Sequence, residues 1–232
     1  MKCAPIGIIG AMDDEVKGLI AKLEDINEKE ILGIKFYTGT IFGKSVVIAK
    51  CGVGKVFAAM CAAAMMLEFC PRIIVNTGVG GALCADLQCG DTVISTKLVQ
   101  HDMDTSALGD EVGMISGINK VFFDADESAC ETLFLAAKRL GLRARRGVIA
   151  SGDRFVCTND DKRSITERFG ADVCEMEGAA IAHAAYVGNT PFAVVRAISD
   201  GANEEAMLDF PTFLKMAVKN SEALTLEFVK EF

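Results

Sequence analysis

Histidine is scarce in this chain, at two residues, and its cysteines never recur as a Cys-x-x-Cys pair. Neither His101 nor His183 has a second ligand at metal-binding spacing, so no metal is expected and no cofactor is implied. Nine cysteines, an odd number scattered through apolar stretches, argue against a disulfide framework and read as reduced thiols acting as small hydrophobes. Positive charge is in deficit, with 24 Lys and Arg against 32 Asp and Glu, for a formal net charge of −8. A nucleic-acid surface needs a basic stripe to displace counterions from phosphates, so small neutral or cationic partners are expected instead. No apolar run approaches the ~20 residues of a membrane span, and no signal peptide precedes the first apolar stretch, which predicts a soluble, cytoplasmic protein with no membrane partner.

What is present is apolar and alternating. With 51% hydrophobic residues in 232, the chain fits one domain spanning 1–232, since a single core stays workable up to roughly 250–300 residues. Short β-branched runs predict strands over 5–10, 35–42, 45–50, 72–77, 91–96, 146–151 and 192–198, with Gly43-Lys44 as a hairpin turn. Helical periodicity covers 13–23, 56–69, 128–140, 162–169, 177–187 and about 210–232. The aperiodic stretch 100–124 reads as a long loop. This alternation predicts an α/β fold with a central mixed or mainly parallel sheet sandwiched by helices.

Two glycine clusters imitate nucleotide-binding loops and fail on spacing. Gly52-Val53-Gly54-Lys55 ends like a phosphate loop, but Ala49 stands where the first glycine belongs and Val56 where Ser or Thr belongs. After Gly78-Val79-Gly80-Gly81, Leu83 fills the third glycine position of a dinucleotide fingerprint. Two readings of Gly78, Gly80 and Gly81 stay open: close approach of backbone to a flat or sugar-like ligand, or a tight strand-to-loop turn.

Acids sit where apolar runs stop: Asp13-Asp14-Glu15, Glu175-Met176-Glu177 and Ser199-Asp200. The carboxyl ends of strands are where open α/β sheets bind ligands, and burial there raises carboxyl pKa values. The motifs Ile8-Ile9-Gly10-Ala11-Met12 with Glu15-Val16, Lys50 to Lys55, Asn76-Thr77-Gly78, His101-Asp102, Ser151 to Phe155, Glu175 to Glu177 and Val195 to Asp200 run the length of the chain. In order and spacing they resemble the 5′-methylthioadenosine/S-adenosylhomocysteine nucleosidases of the nucleoside phosphorylase/nucleosidase superfamily. The resemblance implies a single-domain three-layer α/β/α sandwich, a homodimer, and hydrolysis of an N-glycosidic bond that releases adenine from a small nucleoside.

Such cleavage passes through an oxocarbenium-like sugar and needs an acid beside the purine. Asp200 closes an apolar strand and is the candidate donor to N7; a helix cap or Asx turn before Gly201 is the competing reading. Glu15 matches the family's water-activating base, against a first-turn acid favoured by the helix dipole, which is how Asp13 and Asp14 read. Glu177 and the backbone of Met176 match residues that hold the ribose hydroxyls, with Glu175 in a supporting place. Arg196 either snorkels or pairs with one of these acids, for catalysis or for structure alone. Phe155 and Val156 match the segment against adenine, a core phenylalanine being the alternative. Met12 and Val53 match positions lining the sugar and thioether side, Phe210 matches the position that closes the pocket at the start of the last helix, and Gly81 and Ser199 complete the substrate-binding set. The sequence departs from the family at Val79, a serine in some relatives, and at Leu108, where relatives carry a larger aromatic reaching the partner subunit's thioether pocket. Phosphorolysis, hydrolysis of futalosine or aminodeoxyfutalosine, and a nucleoside-binding protein on the same fold are the rival functions.

Overall fold

The structure is a computed structural model that describes residues 4–201 and 206–232, with side chains of the final segment described from 211 onward. Elements run β1 (Ile6–Gly10), α1 (Asp13–Ile20), β2 (Glu24–Ile31), β3 (Ile34–Ile41), β4 (Lys44–Lys50), α2 (Lys55–Phe69), β5 (Ile73–Ala82), β6 (Thr92–Gln100), β7 (Phe122–Asp124), α3 (Glu127–Arg139), β8 (Ala144–Ser151), α4 (Asn159–Phe169), β9 (Val173–Glu175), α5 (Gly178–Val187), β10 (Phe192–Asp200) and α6 (Ala206–Glu231).

The layers follow from alternation along buried strands, whose successive side chains point to opposite faces. Ile6, Ile8, Val46, Ile48, Ile73 and Val75 face one way, into a core completed by Val16 and Leu19 of α1, Leu133 of α3, and Leu224 and Phe228 of α6. Ile9, Val47, Ala49 and Ile74 face the other way, against Ala58 and Met65 of α2 and Ile181 and Ala185 of α5. Helices therefore cover both faces of a mixed α/β sheet. Among the described residues no helix is long and apolar enough to cross a membrane, and no disulfide joins the described cysteines.

The sheet has two parts. On one side β2-β3-β4 run antiparallel to one another and join β1, which is parallel to β4 and β5. On the other side β5, β9, β8, β6 and β10 pair in succession, and β10 pairs back onto β5 in parallel, so these five strands close into a ring. Residues 100–124 contain a short 3-10 turn at Ser106–Leu108 and end in β7, which adds to β6.

Several elements differ from the sequence-based expectation. The first helix stops at Ile20 rather than Leu23; the chain turns so that Glu24 to Ile31 can pair with β3. That strand escapes periodicity because nearly every residue of it is exposed. The hairpin turn falls at Phe42-Gly43, one residue early, both with positive φ (51° and 72°), as a two-residue turn between twisted strands favours. The strand predicted to end at Thr77 continues to Ala82, so the glycine run is strand, not loop.

Candidate active site

β1, β9 and β10 end close together, and each delivers an acid to the same place. α1 starts three residues after β1, and its first turn divides its carboxylates. Asp13 and Asp14 face solvent beside Lys50 and Lys17, whereas Glu15 is buried. Glu15 Oε2 accepts from the backbone N–H groups of Ala11 (2.7 Å) and Met12 (2.9 Å), and Oε1 from that of Val79 (3.1 Å). It thus caps its own helix and reaches across to β5 as well. Burial raises the Glu15 pKa, against the opposing pull of Arg196 and these three donors.

The glycines of β5 make room for the acids. A Cβ on Gly78 would lie 2.6 Å from Glu15 Oε1, and one on Gly81 2.5 Å from Asp200 Oδ2. Gly80 instead gives way to Val173 and the Cys174 carbonyl on β9. Close approach is thus required here chiefly by carboxylates and a neighbouring strand, and the open turn reading of the three glycines does not hold. Asp200 is the last residue of β10, 2% exposed, and its Oδ1 accepts from Ser199 Oγ at 2.7 Å.

Glu175 and Glu177 flank the start of α5 and differ in partners. Glu175 accepts from the backbone N–H groups of Glu177 (3.1 Å) and Gly178 (2.7 Å to Oε2), from Ser151 Oγ and from Arg196 Nη2. Glu177 accepts from Gly54 N–H at 2.8 Å and stands 3.9 Å from Arg196 Nη2. Burial, then repulsion from Glu175, pushes the Glu177 pKa from 4.5 up to about 7. Arg196 is 1% exposed, so it does not snorkel; it pairs with Glu175 and donates to Asn76 Oδ1 and to the Val195 carbonyl at 3.0 Å. Burial opposes its charge, but Glu175, Glu177 and Glu15 together outweigh that and keep it protonated.

These groups surround a cavity of about 390 Å³ lined by Met12, Glu15, Val53, Gly81, Phe155, Met176, Glu177, Ser199 and Asp200, with Ala11, Val79, Gly80, Cys174 and Glu175. Ten of the thirteen sequence-proposed site residues, Glu175 in its supporting place included, therefore meet there. Val156 lines a small adjoining recess with Phe155 and Asp200. Arg196 stands behind the wall rather than in it, and the Phe210 side chain lies outside the described residues. Phe155 is 48% exposed, which removes the core reading for its ring. Sequence reasoning gave no role to Asn76, Ser151 or the Gly54 N–H; polar residues inside otherwise apolar strands were the available signal for the first two. Cys174 lines the cavity, and burial pushes the pKa of its thiol up, so it stays neutral. His101 packs under it against Gly152, and His183 stacks on Phe123 at 5.2 Å.

The wall offers four carboxylates and no Lys or Arg among the residues lining it. A buried cluster of this kind can hold and exchange protons and grip hydroxyl groups, and it repels an anion such as phosphate.

Comparison with known proteins agrees with this geometry. A family model described as the phosphorylase superfamily matches residues 5–230. A 5′-methylthioadenosine/S-adenosylhomocysteine nucleosidase from Oceanobacillus iheyensis is 40% identical over 227 residues, covering 97% of this chain and 99% of that protein. The crystal structure of the Neisseria meningitidis nucleosidase of the same name, in complex with methylthio-immucillin-A, has a TM-score of 0.95 at 35% identity, covering 99% of this chain and 100% of that one. Futalosine hydrolase of Helicobacter pylori has a TM-score of 0.94 at 33% identity, covering 98% of each chain. The chain belongs to the phosphorylase superfamily and, within it, to the family of the 5′-methylthioadenosine/S-adenosylhomocysteine nucleosidases.

Proposed function

We propose that this protein hydrolyses the N-glycosidic bond of 5′-methylthioadenosine and S-adenosylhomocysteine, releasing adenine and the 5′-substituted ribose. The observation that carries the reading is the convergence of Glu15, Glu177 and Asp200 on one cavity whose remaining wall is largely apolar. Asp200 protonates purine N7 as the bond breaks, with Ser199 orienting its carboxyl. Glu15, fixed by three backbone donors, takes the proton of the attacking water. Glu177 and the Met176 backbone hold the ribose hydroxyls, and those bonds strengthen as positive charge grows on the sugar. Phe155 and Val156 bound the adenine end; Met12 and Val53 bound the thioether end. Arg196 acts from behind, pairing with Glu175 and opposing the rise in the Glu15 pKa.

We also assign the protein to the cytoplasm as a homodimer. Exposed Val56, Phe57 and Leu67 on α2 and Tyr186 and Val187 on α5 support a partner on that face, and Leu108, 84% exposed, suits a residue that meets the partner's thioether pocket. A second reading, futalosine-type hydrolysis, is favoured by the similarity to the Helicobacter pylori enzyme. Adenine release from 5′-methylthioadenosine, with and without phosphate, tests the assignment. Phosphate-independent release with free methylthioribose is expected. Sugar phosphate as product overturns hydrolysis, and turnover of futalosine alone moves the substrate to the second reading.

A further inference from the structure

Lys55, Asp102 and Asp153, each from a different sequence motif, have no role in the arrangement described so far. They meet beside Gly54, whose N–H donates to Glu177 of the cavity. Lys55, the first residue of α2, donates from Nζ to Asp102 Oδ1 at 2.6 Å and to Gln100 Oε1 at 3.2 Å. Its backbone N–H donates to Asp153 Oδ1 at 2.7 Å, and the Asp153 N–H donates to Asp102 Oδ2 at 2.9 Å. Three residues from three strand-end loops thus close a cycle. The cycle is partly shielded from water, with the Lys55 side chain 18% exposed and that of Asp102 27%. Burial works against the Asp102 charge, but Lys55 and the Asp153 N–H outweigh it and hold this carboxyl below its ordinary pKa.

The neighbouring peptide carries the consequence. Helices α3 and α4 are capped by side chains of their own N-cap residues, Asp126 and Thr158. The N-cap of α2 is Gly54, which has no side chain to offer, and its φ of 102° suits glycine. Two carboxylates from elsewhere serve instead: Asp153 on the Lys55 N–H, and Glu177 on the Gly54 N–H at 2.8 Å. A Cβ at Gly54 would also sit 3.1 Å from Asp153 Oδ1.

We propose that Lys55, Asp102 and Asp153 form a positioning clamp that holds the start of α2 so that the Gly54 N–H aims at Glu177. The inference rests on the assignment of Glu177 to the ribose hydroxyls. The other charges facing Glu177 are Glu175, Glu15 and Arg196. Glu175 and Glu15 disfavour its ionised form, so the Gly54 donor stands with Arg196 in supporting the carboxylate that grips a diol. Loosening the clamp weakens that grip without touching the proton donor at the purine.

The test compares Lys55→Met, Lys55→Arg and Asp102→Asn with Glu177→Gln, measuring kcat/KM on 5′-methylthioadenosine and on its 2′-deoxy counterpart. Lys55→Met is expected to lower kcat/KM on the ribonucleoside by about ten- to a hundredfold, the scale of one hydrogen bond to a charged group. Activity on the deoxy substrate should change far less, so the preference for the 2′-hydroxyl collapses, and Lys55→Arg should recover part of it. Asp102→Asn gives the same readout if Lys55→Met does not fold. Equal losses on both substrates, or an unaltered preference in Lys55→Met and Asp102→Asn while Glu177→Gln loses it, overturn the clamp. An intact preference in Glu177→Gln overturns the ribose assignment itself, and the clamp's role with it.

Discussion

The two parts of the sheet treat polar groups in opposite ways. In β1 to β4 the described buried side chains are apolar, and polarity is confined to exposed surfaces such as β2. The ring of β5, β6, β8, β9 and β10 buries Asn76, Thr77, Ser95, Ser151, Glu175, Arg196, Ser199 and Asp200. Open strands can turn charge outward at no cost. Ring strands bring their carboxyl ends to the cavity, so the polar groups gathered there are buried and must be satisfied internally. Arg196, Glu175, Asn76 and Ser151 are that internal solution, because a buried charge without a partner is far costlier than a paired one.

The sharpest way to probe this contrast is through the ring's reacting end. Asp200→Asn should cut turnover by about 10²–10⁴-fold, the range of general acid catalysis, while the melting temperature stays close to the parent's. A large drop in melting temperature instead would mean that Asp200 belongs to the ring's structural set. Arg196→Met removes the partner of buried Glu175 and should lower unfolding free energy by about 3–5 kcal/mol in a urea titration. In the open part, Glu28→Ala breaks a pair with Lys35 (2.8 Å) in which both side chains are exposed, and should leave the same curve unchanged. If the two substitutions behaved alike, the contrast would be void.

A smaller effect is carried by pH. Glu177 has a pKa of about 7 in the folded chain against 4.5 ordinarily. The folded state therefore binds the extra proton between those values. The associated stability is complete below 4.5 and is lost as pH rises through about 7, a fall of at most about 3.5 kcal/mol at about 1.4 kcal/mol per unit. Glu15, also raised, adds to the fall in the same direction. Glu177→Gln should flatten the decline in unfolding free energy between pH 5 and pH 8; a decline as steep as the parent's would place the titration elsewhere.

The apolar half of this architecture was readable in the sequence because strands such as Ile6–Gly10 and Phe192–Asp200 alternate into two cores and so declare themselves by hydrophobicity. β2 was not, since a strand wetted on both faces carries no such signal. β9 was hidden by its length of three residues. The acids of the cavity were legible through their position at strand ends. Position alone did not divide their labour: Asp13, Asp14 and Glu15 are chemically near-identical neighbours, told apart in the sequence by the family resemblance and in the structure by the geometry that turns Glu15 inward. Ring closure was equally hidden, because pairing of β10 with β5 joins residues more than a hundred apart and leaves no local pattern.

That late pairing sets a timetable. Domains made on the ribosome begin folding from the N-terminus, and β1 to β4 can assemble with α1 and α2 while the last third of the chain does not yet exist. Glu15 is then already synthesised, but the wall that faces it is not. Asp200 comes to rest over Gly81 only when β10 docks between β5 and β6. The final sheet strand to be synthesised is thus also the one that closes the cavity, so a partly made chain lacks the wall that Asp200 supplies.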